Sequence, residues 1–88
     1  MAFILTRINV GDYETWRPMF DQDRPGAREK ARSQRVFRSM DDPNHVFIQL
    51  EFDSTEDAQE AKRRLSESGV LDRFEDRYGP TVVVEADS

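Results

Sequence analysis

The sequence predicts an α+β domain of element order βαββαβ: a four-stranded antiparallel sheet with its helices on one face, the split βαβ or ferredoxin-like arrangement. Three observations predict it. Phe3 to Val10 and His45 to Phe52 alternate as strands do, and each runs straight into a helix start, at Gly11-Asp12-Tyr13 and at Asp53-Ser54-Thr55. Between them, Arg35 to Met40 followed by Asp41-Asp42-Pro43-Asn44 reads as a strand and the turn of a hairpin. After Gly79-Pro80, the β-branched run Thr81-Val82-Val83-Val84-Glu85 supplies a last strand.

In the first strand a period of two puts Ile4, Thr6, Ile8 and Val10 toward the helices and Phe3, Leu5, Arg7 and Asn9 on the opposite side. Asp12 is the expected N-cap of the first helix, its carboxylate accepting from the unpaired N–H groups of the first turn, and Glu14 adds charge that suits the helix dipole. The buried stripe of that helix is Tyr13, Trp16 and Phe20, with Arg17 and Asp21 outward. Pro18 cannot donate to the carbonyl of Glu14 and is expected to kink or tighten the helix; Pro25-Gly26 breaks it, and it is expected to resume from Ala27 to Arg32. In the third strand Val46, Ile48, Leu50 and Phe52 make the apolar face, and His45, Phe47, Gln49 and Glu51 a mixed one. Ser54 with Asp57 resembles a capping box; Ala58, Ala61 and Leu65 form a narrow stripe suited to close packing, and Gly69 ends the second helix. Val70, Leu71 and Phe74 suggest one more short helix.

Residues 1–88 read as one domain. A chain of this size buries only about 60% of its unfolded surface. Without cysteine there is neither a disulfide framework nor a thiolate metal site to add stability, so association with a second copy is expected. The sheet face holding Phe3, Leu5, Phe37 and Phe47 points the same way, since burying each large apolar side chain is worth roughly 1.5–3 kcal/mol. There is no run of ~18 apolar residues and no signal-peptide pattern, from which a soluble, cytoplasmic protein without a membrane partner is expected. The net charge is −5 with acidic residues spread along the chain, so nucleic acid is not an expected partner.

Three stretches carry a family resemblance: Val10 to Asp21, Val36-Phe37-Arg38 with Asp41-Asp42-Pro43-Asn44, and Leu50-Glu51-Phe52-Asp53. They resemble small stand-alone bacterial proteins of the dimeric α/β-barrel superfamily, similar in layout to antibiotic biosynthesis monooxygenases, and the likeness covers nearly the whole chain. It implies a homodimer whose two sheets face one another, with a pocket in each subunit between sheet and helices or toward the barrel interior. Members of known activity oxidise polycyclic phenols without metal or flavin, degrade haem, or isomerise small metabolites, so no cofactor is expected. The haem-degrading branch needs a histidine on its second helical segment, an asparagine on the first strand and a nearby tryptophan. Asn9 fits the second role, but no residue from Ser54 to Tyr78 is histidine and Trp16 lies on the first helix. The resemblance assigns no catalytic residue.

The residues themselves leave paired readings. His45, the only histidine, is either a base at a pocket mouth or a partly exposed strand start; with Asp41 and Asp42 it makes no expected metal site, because such turns hold hairpins through Asx-type bonds. Arg7, Asn9, Gln49 and Glu51 beside Phe37 and Phe47 describe an apolar site with a few fixed polar groups, and equally an Arg7–Glu51 ion pair inside a dimer. Trp16, Phe20, Phe74 and Tyr78 either line a flat cavity for an aromatic ring or are core. No nucleophile motif, phosphate loop or heptad repeat is present. The expected function is binding of a small aromatic or carbonyl metabolite, with a cofactor-free oxygenation or isomerisation as its catalytic form. Arg7, Asn9, Gln49 and His45 would be its polar contacts and Trp16, Phe37 and Phe47 its walls. The rival is a non-catalytic dimer whose polar sheet face serves only packing.

Overall fold

Alternation along the strands, read above, becomes a sheet in the computed structural model, which describes residues 1–23 and 26–86. The chain runs β1 (Ala2–Asn9), α1 (Tyr13–Asp21), β2 (Ser33–Arg38), β3 (His45–Phe52), α2 (Thr55–Ser68) and β4 (Arg77–Val84). The strands form one antiparallel sheet in the order β2-β3-β1-β4. This is the βαββαβ ferredoxin-like arrangement. Ala2, Ile4, Thr6 and Ile8 of β1 and Val46, Ile48, Leu50 and Phe52 of β3 are all buried, and they share the core with Trp16 of α1 and Ala58 and Ala61 of α2. Both helices therefore cover the same sheet face. None of the helices among the described residues is long and apolar enough to cross a membrane.

The two helices stand at different heights. Ala58 and Ala61 have almost no side chain to hold α2 away, so its Cα atoms come within 8 Å of those of β1, β3 and β4. No Cα of α1 comes that close to any strand or to α2. It meets the sheet through its rings, Tyr13, Trp16 and Phe20, with centroid separations of 5.8 and 4.8 Å between successive members of the stripe.

The helix ends differ as well. Ser54 Oγ accepts from Asp57 N at 3.1 Å, as its spacing predicts, and Gly69 closes α2 at φ 74°. Asp12 occupies the N-cap position of α1, but its carboxylate accepts from the hydroxyl of Thr15 at 2.6 Å and caps no backbone N–H. The N–H of Tyr13 donates instead to Asn44 Oδ1 at 3.0 Å, so the hairpin turn fastens α1. That turn is itself held by an Asx bond from Asn44 N to Asp42 Oδ1 at 3.0 Å. α1 runs through Pro18 and ends at Asp21.

Four segments depart from expectation by more than a residue. Residues 27–30 form turns and no second helical piece, while Pro25 lies outside the described residues. Asp23 and Gly26 take positive φ, the N–H of Arg28 goes to the Asp23 carboxylate, and Arg32 N already bonds Glu51 O at 2.7 Å, so sheet pairing claims the segment before a helix can form. For that reason β2 also starts two residues earlier than predicted, at Ser33; it ends at Arg38 rather than Met40, because Ser39 Oγ accepts from the N–H groups of Asp41 and Asp42 and opens the turn. The expected short helix at Val70 to Phe74 is a pair of turns, Asp72 N to Gly69 O and Phe74 N to Leu71 O, each at 3.1 Å. Finally, β4 begins at Arg77 and carries Gly79-Pro80 within it, opposite an irregularity in register between Leu5 and Arg7. Gly79 is required there: at φ 91° a Cβ would sit 2.5 Å from the Leu5 carbonyl oxygen.

Candidate functional site

The predicted polar residues lie on the face of the sheet away from the helices. Strand register sets them in rows: Ser33, Glu51, Phe3 and Val83; then Arg35, Gln49, Leu5 and Thr81; then Phe37, Phe47, Arg7 and Tyr78. His45 and Asn9 pair beyond these. Leu5, Phe37 and Phe47 are each more than two-fifths exposed. Seven of the eight candidate site residues, all but Trp16, therefore share one surface.

On that surface Arg7, Asn9, His45 and Glu51 are occupied by neighbours. Arg7 Nη1 lies 2.6 Å from His45 Nε2 and 3.1 Å from Asp76 Oδ1. A guanidinium only donates, so Nε2 is the accepting atom of His45 in this contact. The imidazole stacks on Phe47 at 5.3 Å. The Arg7–Glu51 pair does not form within the chain: Glu51 stands opposite Phe3, about 13 Å along the strand from Arg7 at the usual rise per residue, and accepts from Ser33 Oγ at 3.0 Å. Asn9 Oδ1 accepts from Gly11 N at 3.0 Å. Among the described residues no group of three His, Cys, Asp or Glu side chains is placed to hold a metal ion.

Trp16 belongs elsewhere. It lies on the helix-covered side, where the stand-off of α1 leaves a cavity of about 150 Å³. Ile8, Ile48 and Leu50 of the sheet form its floor; Trp16 and Phe20 of α1, Leu65 of α2, and Val70, Leu71 and Phe74 of the following turns form walls, and Met19, Asp23, Arg28 and Arg73 complete the lining. The flat-cavity reading of Trp16, Phe20 and Phe74 thus has a physical counterpart. Tyr78 is not part of it, being 67% exposed in the row of Arg7 on the other face.

Sequence reasoning missed Met19, Arg28 and Arg73. Arg28 stacks over the Phe20 ring at 3.9 Å, pairs through Nε with Asp23 at 3.3 Å, donates to Gln34 Oε1 at 2.7 Å and also reaches the Phe20 carbonyl oxygen. It clamps the wall in place. Arg73 Nη1 reaches Met19 Sδ at 3.9 Å, so its side chain crosses from the turn after α2 to α1. No periodic signal marks either residue, because both sit in turns.

No protein-family model matches the chain, and no curated protein matches it in sequence.

Proposed function

We propose that the protein is a homodimer of the α/β-barrel type resembled by its strand and turn motifs, and that each copy binds one small aromatic or carbonyl-bearing molecule beneath its own helices. The observation that carries the binding reading is the ring-lined cavity. An apolar space of roughly 150 Å³ is enough for a benzene-sized ligand, and here the ring walls are Trp16, Phe20 and Phe74. Binding is proposed rather than catalysis because Asp23, the carboxylate of the described lining, is held by Arg28. The dimer reading rests on the exposed Leu5, Phe37 and Phe47 on one face. Four strands about 4.8 Å apart and six to eight residues long span roughly 500 Å² of face, so pairing two copies removes on the order of 1,000 Å², the lower bound of a stable interface.

A second reading, a dimer whose polar face only packs, is favoured by one observation: Arg7 is already held by two neighbours of its own chain, His45 and Asp76. One set of experiments separates the two. Phenol titrated against the fluorescence of Trp16, the sole tryptophan, is expected to give a saturable change that Val70→Phe abolishes by filling the cavity. Arg7→Ala is expected to weaken the dimer in sedimentation and leave phenol binding intact, because Arg7 faces away from the cavity. No saturable response in the wild type would leave the packing reading standing alone, and a monomer at micromolar concentration would reject the dimer.

A further inference from the structure

The charges at the cavity narrow what it binds. Arg28 and Asp23 neutralise each other, and Arg28 has Nε, Nη1 and Nη2 all engaged, by Asp23, Gln34 and the Phe20 carbonyl. Arg73 is different. Its polar contact is the Met19 thioether, a weak acceptor, and its guanidinium carbon lies 5.7 Å from the centre of the Phe74 ring. Among the described residues no carboxylate lies within ion-pair distance of it. Seven other described arginines have such a partner, Arg7, Arg17, Arg28, Arg32, Arg63, Arg64 and Arg77, in a chain of net charge −5. Two more lack one: Arg38, which lies over the Tyr13 ring and donates to the Pro43 carbonyl, and Arg35, on the far face of the sheet. Arg73 alone of these three lines the cavity.

We infer that the cavity takes a single-ring aromatic monocarboxylate, its ring among Trp16, Phe20 and Phe74 and its carboxylate on Arg73; this rests on the binding reading above. The floor of Ile8, Ile48 and Leu50 offers no side-chain hydrogen-bonding group, so the polar end of a ligand belongs at the exposed Met19–Arg73 rim. Met19 is 39% exposed, which leaves that end in contact with water. A guanidinium presents the paired donors that a carboxylate accepts, and a charge-assisted bond of this kind contributes more than a neutral one.

The test compares benzoate with benzamide, its neutral analogue of the same shape, by Trp16 fluorescence at pH 7 and low salt. Benzoate is expected to bind about tenfold more tightly, as one charged hydrogen-bonding contact allows. Arg73→Gln should close that gap to under twofold while leaving benzamide unchanged, Arg73→Lys should restore part of it, and added salt should narrow it. Equal binding of the two probes by the wild type overturns the inference and leaves the cavity reading intact. So does an equal loss of both probes in Arg73→Gln, which would mark Arg73 as structural. If neither probe saturates, the cavity reading and the inference fall together.

Discussion

The two helices cover one sheet face by opposite means. α2 lies close because Ala58 and Ala61, 0% and 3% exposed, let backbone approach backbone. α1 stands off on Trp16 and Phe20, and the rings fill only part of the gap. Close packing leaves no room for a ligand beneath α2, whereas standing off creates room beneath α1. What limits one helix is volume; what limits the other is how firmly its rings and Arg28 are held.

Adding volume under each helix is the sharpest way to break this comparison. Ala58→Leu forces three more side-chain carbons into a full space and is expected to cost about 2–3 kcal/mol. Val70→Phe adds comparable volume at the α1 cavity and should change stability by less than about 1 kcal/mol, since the void accepts it. Urea denaturation of both variants checks this; similar losses would mean that the two helices are packed alike.

A smaller effect concerns how the helices are fastened. Ser54→Ala removes a backbone cap and should cost about 1 kcal/mol, whereas Asp12→Ala should cost only a few tenths, because Asp12 bonds a side chain. Asn44→Ala, which releases the Tyr13 N–H, should resemble Ser54→Ala. Equal losses for Asp12→Ala and Asn44→Ala in thermal melts would contradict that assignment of the cap.

The smallest effect lies on the outer surface of α2. Hydrogen bonds from Arg63 and then Arg64 hold the Glu60 carboxyl below its ordinary value of 4.5. A lowered value in the folded state means a contribution present above pH 4.5 and lost as pH falls below it, through the folded-state value. Glu60→Gln should therefore lose slightly in stability at neutral pH and show a shallower decline below about pH 4.5. Identical acid limbs for the two proteins would count against it.

Most of the fold was legible in residues 3–10 and 45–52, because which face a strand residue takes depends only on alternation. The same alternation placed Arg7, Asn9, Phe47, Gln49 and Glu51 together on the open face, and Ser54, Gly69 and Asp42 acted on near neighbours as their types dictate. Alternation does not set distance along the strand: Arg7 and Glu51 share a face without being adjacent within the chain, and register set Glu51 beside Ser33. The break at 27–30 was misjudged, since the bond from Arg32 to Glu51 that extends the sheet joins residues far apart in sequence.

By itself, then, the sequence determined the elements, their order, and which side of each long strand is apolar, all of which follow from spacing within a few residues. Tertiary structure decided the distance of each helix from the sheet, and with it whether a cavity exists and which charges border it. Residues from Ile8 to Phe74 build that cavity, and Arg28 and Arg73 reach it from turns without periodicity. Their positions depend on long-range packing, for which the local pattern carries no signal.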